Sequence, residues 1–200
     1  MPIARLRTLD EAFDVLDKMP DARLLAGGTD LMVEVNFGHR RPPSIVALRR
    51  VQELQGVDVS PGEVILRAGL TWTMVEKELA GVLPGLAAAA RTIGSPQMRN
   101  SGTVGGNVGT ASPAGDSLPV LAAMDATVVL TRRGAERQLS LVDFITGVKR
   151  TVIEPGEIIR EVRVPRLDGP QQFLKVGTRN AMVISIVCCG VVVDLSLIHI

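Results

Sequence analysis

Tyrosine is absent from this 200-residue chain, tryptophan occurs once and phenylalanine four times. The interior is therefore expected to be aliphatic, built from Val, Leu, Ile and Ala. Cysteine is confined to the adjacent pair Cys188 and Cys189, whose side chains point to opposite faces of a strand. Such a pair makes no metal site by itself and falls short of the four thiolates that an iron-sulfur cluster needs. Two thiols and no disulfide framework fit a reducing cytoplasm. Charge of one sign is also missing: 22 Lys and Arg stand against 21 Asp and Glu, a net charge of +1. No basic block is present, so nucleic acid is not an expected partner. No apolar run approaches the roughly 18 residues of a membrane-spanning helix. The opening "MPIARLRTLDEAF" lacks the apolar core of a signal peptide. The expectation is a soluble, unexported protein.

With 46% hydrophobic residues, the chain can bury a core, and its patterning reads as α/β. Thr8 followed by Glu11 forms a capping box, and Ala12, Phe13, Leu16 and Met19 recur at helical spacing, which predicts a helix over 9–19. "ARLLAGG", "TDLMVEVNFG" and "PSIVAL" read as strand, helix and strand. "GEVILRAGLTW" reads as paired strands turning at Gly62, and "TMVEKELAG" and "LPGLAAAARTIG" as helices. The second is narrow and alanine-rich, suited to close packing. "DSLPVLAAMDA" predicts a buried helix with Pro119 in its first turn. "TVVLTRRGAERQLSL" is a hairpin signature, and "EIIREVRVP" sets Ile159, Val162 and Val164 against charges. After "PRLDGPQQ", "FLKVGTRN" and "VISIVCCGVVVDL" look like the first strands of another module. The expected division is 1–55, 56–168 and 169–200.

Two stretches are rich in bare backbone. "AGGTDL" carries Gly27 and Gly28, and "SGTVGGN" carries Gly105 and Gly106. Without Cβ, glycine allows a ligand close to the main chain. Successive N–H groups turned inward at a helix start cradle phosphate oxygens, and a pyrophosphate wants more than one such cradle. Asp116, at the head of the next helix, can accept from sugar hydroxyls as carboxylates do in dinucleotide sites. Each feature has an ordinary alternative: a Gly-Gly pair is most often a turn, and an Asp before an apolar run is most often an N-cap. Neither G-x-G-x-x-G nor G-x-x-x-x-G-K-S/T occurs, which disfavours the common NAD and P-loop sites. The case for a ligand rests on having both stretches.

"LLAGGTDLMVEV" together with "RNSGTVGGNVGTASPAGDSLPVLAAMDA" resembles the FAD-binding subunit of molybdenum hydroxylases, the xanthine dehydrogenase and carbon monoxide dehydrogenase family. "FITGVKRTVIEPGEIIREVRVP" and "FLKVGTRNAMVIS" continue the resemblance to about Asp194, and "GGNVGTASPAGD" is more similar to the xanthine dehydrogenase branch. The resemblance implies a two-subdomain FAD-binding fold of the PCMH/VAO type, mixed α/β, followed by the start of a truncated C-terminal α/β domain. It implies that Leu24, Leu25, Ala26, Gly27, Gly28, Thr29, Asp30 and Leu31 wrap the diphosphate, with Thr103, Val104, Gly105, Gly106 and Asn107 on its other side. Asp116 is then on the ribityl and ribose side, Ile93 against the adenine, Ile159 against the isoalloxazine and Lys175 near its edge. No catalytic acid or base and no metal ligand is implied, since the cofactor carries the redox step. Electrons are expected to arrive from [2Fe-2S] clusters of a small partner subunit, after hydroxylation at molybdopterin in a large one, and to leave FAD for NAD or another acceptor. The competing readings are a stand-alone flavin oxidoreductase and an assembly fragment without flavin.

Other residues carry plainer expectations. His39 with its neighbouring arginines suits a helix C-terminus, and His199 is one residue from the end. Neither histidine nor cysteine lies in the glycine stretches, so non-covalent FAD is expected. The Arg pairs at 40–41, 49–50 and 132–133 read as solvated loop charges, and "AAAAR" as a packed helix. The ending "DLSLIHI" departs from the family pattern, as expected either of a truncated reading frame with a few foreign residues at its end or of a genuine short protein whose last strand closes an edge. An apolar strand left without partners there is an aggregation hazard, so poor solubility or weak flavin retention is expected.

Overall fold

The computed structural model describes residues 3–39 and 41–195. The first part is built from β1 (Ile3–Arg5), α1 (Leu9–Lys18), β2 (Arg23–Leu25), α2 (Leu31–Asn36) and β3 (Ile45–Ala47). β3 lies between β1 and β2 and is parallel to both, the pairing that strand-helix-strand connections produce. The Thr8 half of the capping box is present, with Thr8 Oγ1 accepting from Glu11 N at 3.2 Å, while a Glu11 carboxylate oxygen accepts from Arg7 N, one residue before the cap, at 2.7 Å. Ala12, Phe13 and Leu16 form the buried stripe of α1.

A 3₁₀ turn at Gln52–Leu54 leads into β4 (Val57–Val59) and β5 (Glu63–Arg67), followed by five helices: α3 (Trp72–Glu78), α4 (Pro84–Thr92), α5 (Pro96–Ser101), α6 (Val104–Thr110) and α7 (Ser117–Ala123). Next come β6 (Thr127–Arg132), β7 (Ala135–Ser140), α8 (Leu141–Phe144), a small hairpin of β8 (Ile145–Gly147) and β9 (Arg150–Thr151), and β10 (Ile158–Pro165). β4, β5, β10, β6 and β7 make an antiparallel sheet in that order. The uneven spacing of Ile159, Val162 and Val164 has a cause: the register of β10 against β6 shifts between Ile159 and Glu161. A bulge there buries Ile158 and Ile159 side by side.

β11 (Gln171–Val176) and β12 (Val187–Val192) pair antiparallel, so "VISIVCCGVVVDL" has a partner within the chain. β11 lies on α4 and β12 on α7. The contact is close, because a Cβ at Gly190 would come within 2.7 Å of the Val120 backbone. The other face of the hairpin, with Leu174, Val176, Val187 and Val191, is exposed.

The interior departs from the purely aliphatic expectation. Trp72, Phe144, Phe13 and Phe173 are all buried, and Phe37 alone of the phenylalanines is exposed. The pair at 132–133 is also less idle than expected. Arg133 in the β6–β7 turn reaches Asp14 and Asp17 on α1, which hold its pKa above the ordinary value by hydrogen bonding. Arg132 meets Glu154 at 3.4 Å. Arg40 and His199 lie outside the described residues. His39 is exposed just beyond α2, its ring stacked on Phe37 with centroids 6.0 Å apart.

α6 runs against local propensity. Its sequence VGGNVGT contains three glycines, each costing roughly 1 kcal/mol relative to alanine. Tertiary contacts offset this: Val104 and Val108 are fully buried, a gain of about 1.5–3 kcal/mol each. Thr103 supplies the N-cap, accepting from Gly106 N at 3.1 Å.

Candidate functional site: a long cleft with one open and one closed glycine motif

A cleft of about 1500 Å³ runs between the first sheet and the helices packed on the second. It is larger than a drug-sized ligand requires. Of the residues that the sequence nominates, Leu24, Leu25, Ala26, Gly27, Gly28, Thr29, Asp30, Leu31, Ile93, Thr103, Gly105, Gly106, Asn107, Asp116, Ile159 and Lys175 all line it. Val104 does not. Its side chain is fully buried beneath the start of α6, as position N1 of a helix packed on a sheet requires, and it belongs to the core.

The loop from Ala26 to Asp30 has backbone donors to spare. Among the described residues, no acceptor meets the N–H of Ala26, Gly27, Gly28, Thr29 or Asp30, and the Thr29 hydroxyl has no protein partner either. Asp30 precedes α2 without capping it. Gly28 sits at φ 77°, which turns the chain from β2 into α2. Ala26 to Thr29 are half-buried and Asp30 is exposed, so a run of donors without protein acceptors along a cleft can be approached by an acceptor-rich ligand.

The second motif is different, and here the expectation of a second set of free donors is corrected. Val104 N donates to Leu70 O at 2.9 Å, Gly105 N to Ala68 O at 2.8 Å, Gly106 N to Thr103 Oγ1, and Asn107 N to Thr103 O at 3.0 Å. These N–H groups close a helix and stitch it to the end of β5. Asn107 Oδ1 in turn accepts from Ser117 Oγ at 2.6 Å. What this motif offers the cleft is a flat, small-residue surface and the N-terminal end of α6.

Asp116 is buried and at the N-cap position of α7, but its side chain makes no cap hydrogen bond. Its Oδ2 instead accepts from Lys175 Nζ at 2.5 Å and Thr92 Oγ1 at 2.8 Å, and its Oδ1 from Ser185 Oγ at 3.3 Å. The Lys175 side chain is 10% exposed. The pair thus fastens β11 to α4 and α7 at the cleft wall. Opposite, Ile159 lies against α6, where a Cβ on Gly109 would be 3.2 Å from Ile159 Cδ1.

Sequence reasoning missed the rim over residues 146–158. Thr146, Lys149, Arg150, Ile153 and Glu154 line the cleft, and Lys149 Nζ reaches Glu34 Oε1 of α2 at 3.6 Å. Glu157 is buried and holds this rim: its carboxylate accepts from Arg137 at 2.7 and 2.8 Å and from Glu154 N at 2.8 Å. The hydrogen bond from Arg137 holds its pKa below the ordinary carboxylate range, against the opposing effect of burial. The signal available in sequence was the turn "EPGE", whose Gly156 has φ 82°. Among the described residues, no cluster of His, Cys, Asp and Glu could hold a metal ion, and no helix is long and apolar enough to cross a membrane.

Residues 2–167 match the family described as the FAD binding domain in molybdopterin dehydrogenase. The chain is 35% identical over 196 residues to the nicotinate dehydrogenase FAD-subunit of Eubacterium barkeri, covering 94% of this chain and 66% of the relative. It is 31% identical over 196 residues to the xanthine dehydrogenase FAD-binding subunit of Escherichia coli O157:H7, covering 93% and 66%. Among solved structures, a Cu,Mo-CO dehydrogenase in its cyanide-inactivated form superposes with a TM-score of 0.91 at 28% identity, covering 98% of this chain and 70% of that one. Quinoline 2-oxidoreductase from Pseudomonas putida 86 gives 0.87 at 27%, covering 94% and 65%. The chain spans just under two thirds of the length of these two curated relatives.

Proposed function

The chain belongs to the family of FAD-binding domains of molybdopterin dehydrogenases, with their mixed α/β PCMH/VAO-type fold, and from that premise we propose that it is the flavin-binding, electron-transferring part of a molybdenum hydroxylase. The observation that carries this reading is the run of unpartnered N–H groups from Ala26 to Asp30 along the cleft. A diphosphate supplies the acceptors that this loop lacks, and backbone donors beside a helix start suit its charge.

On this reading Leu24 to Leu31 hold the diphosphate, with Thr103, Gly105, Gly106 and Asn107 forming the wall behind it. Ile93 takes the adenine side, Asp116 the ribityl and ribose side, Ile159 the isoalloxazine side, and Lys175 the edge of that ring. Bound FAD supplies the redox chemistry, and the residues of this chain orient it, exclude water and hold its charged groups. Two cysteines on one strand cannot ligate a cluster, so [2Fe-2S] clusters and molybdopterin are assigned to a small and a large partner subunit, and NAD is the favoured acceptor. The parts 1–55 and 56–168 form the two sides of the flavin site, and 169–200 opens a further domain.

The test is reconstitution. The purified chain with added FAD should acquire a flavin spectrum, released intact on denaturation, and Gly106→Asp should abolish it while the chain still folds. A parent chain that takes up no FAD in excess overturns the reading.

A further inference from the structure

The turn at Ile93 and Gly94 lines one end of the cleft, and what shapes it lies behind it. α4 ends at Thr92, Ile93 N returns to Ala90 O at 3.1 Å, and Gly94 takes φ 50°. The two carbonyl oxygens of this turn are both held by Arg99 of α5, whose Nη1 donates to Ile93 O at 3.3 Å and Gly94 O at 3.4 Å. The Arg99 side chain is only 12% exposed and is not part of the cleft lining. Its other edge is fixed from α3, where Glu76 Oε2 accepts from Arg99 Nε at 3.0 Å. The second oxygen, Glu76 Oε1, faces Arg91 Nε at 3.6 Å.

A guanidinium presents donors along more than one edge in a rigid plane, so a single side chain can bind a carboxylate on one helix and two main-chain oxygens in a neighbouring turn. Lysine, a flexible point charge, cannot hold that geometry. Met98 fills the remaining space, since a Cβ on Gly94 would come within 2.7 Å of its sulfur. The turn is therefore clamped by α3 and α5, and none of the clamping charge is directed at the ligand.

We infer that Arg99, oriented by Glu76, is a positioning residue for the dinucleotide: it sets the Ile93–Gly94 turn as the apolar wall for the adenine end. The inference rests on the FAD reading above. It makes a distinction that a general structural role does not, because FMN lacks the adenosine half and does not reach this wall.

The test is to titrate FAD and FMN separately into the parent chain, Arg99→Met, Arg99→Lys and Glu76→Gln, following flavin fluorescence, with a thermal melt of each protein. Arg99→Met is expected to raise the Kd for FAD about tenfold, a cost of about 1.4 kcal/mol, while the Kd for FMN changes less than about twofold. Glu76→Gln should shift the ratio of the two Kd values in the same direction by less. Arg99→Lys should recover only part of the loss, since it restores charge without the fork. Should Arg99→Met fail to fold, the last two variants carry the test through that same ratio. Equal weakening of FAD and FMN, or no change in either, overturns the inference while leaving the FAD reading intact. A parent chain that binds neither flavin overturns the FAD reading first, and the inference with it.

Discussion

The two Gly-Gly motifs share a dipeptide and a cleft but spend their backbone differently. In the first, the donors from Ala26 to Asp30 are without protein acceptors among the described residues; in the second, those from Val104 to Asn107 are all taken within the protein. Each motif nevertheless contains one glycine required by packing alone. A Cβ on Gly27 would fall 1.9 Å from Ser101 O, and one on Gly105 would fall 2.5 Å from the Ala68 Cβ and 2.9 Å from its carbonyl oxygen. Bare backbone in this chain thus serves main-chain contact first. Only the open motif goes on to offer hydrogen bonds to a ligand.

The largest expected effect is on folding. Gly27→Ala and Gly105→Ala each force a methyl into main-chain atoms that have no flexible end to move, at a cost above about 4 kcal/mol. Both should lose a cooperative thermal transition. Gly106→Ala meets only the Thr103 hydroxyl at 3.0 Å and Ala26 Cβ at 3.6 Å, and should stay within about 1 kcal/mol of the parent. A normal melt for Gly27→Ala would break the comparison.

Next in size is the pair that closes the cleft wall. Asp116→Asn leaves the nearly buried Lys175 ammonium without its counter-charge, a loss of about 3 kcal/mol measurable by urea unfolding. Adding Lys175→Met should return much of it. If the double variant is no more stable than the single one, the ion pair is not what fastens β11 to α4 and α7.

The hydroxyls sharpen the contrast between the motifs. Thr103→Ala removes the cap of α6 and should cost about 1 kcal/mol. Thr29→Ala removes no protein hydrogen bond, should stay within about 0.5 kcal/mol, and should weaken FAD binding. The opposite ranking in either assay would mean that the open motif is structural.

The smallest effect is confined to acid and concerns the rim facing both motifs. With its pKa lowered in the folded state by Arg137, Glu157 contributes stability above the ordinary carboxylate range and loses it as pH falls through the lowered value. The difference in Tm between the parent and Glu157→Gln should therefore be constant from pH 7 down to about pH 5 and shrink below that. A difference that grows in acid would show that Arg137 does not hold the carboxylate ionised.

Much of the architecture is legible in the chain itself. The cap of α1 at Thr8, the turn at Gly134 between β6 and β7, and the parallel pairing around β3 follow from local rules of capping, turn chemistry and period. α6 is not legible, because VGGNVGT has the composition of a loop and becomes helical only through its cap and two buried valines. Asp116 reads as an N-cap or a sugar ligand in sequence, and only the fold shows that it is paired with a lysine from 59 residues away. Arg99 leaves no trace in sequence, since its partners lie on another helix and in main-chain carbonyls.

Residue type and spacing by themselves therefore determined most of the element types, α5 and α6 excepted, the count of thiols and the stretches able to approach a ligand without Cβ. Those properties are local, set by covalent geometry and by hydrogen bonds a few residues apart. Only the tertiary structure decided which N–H groups remain free, which glycines exist to let main chain meet main chain, and which charges neutralise one another at the cleft wall. Each of these depends on partners far apart in the chain, and packing alone brings them within bonding distance.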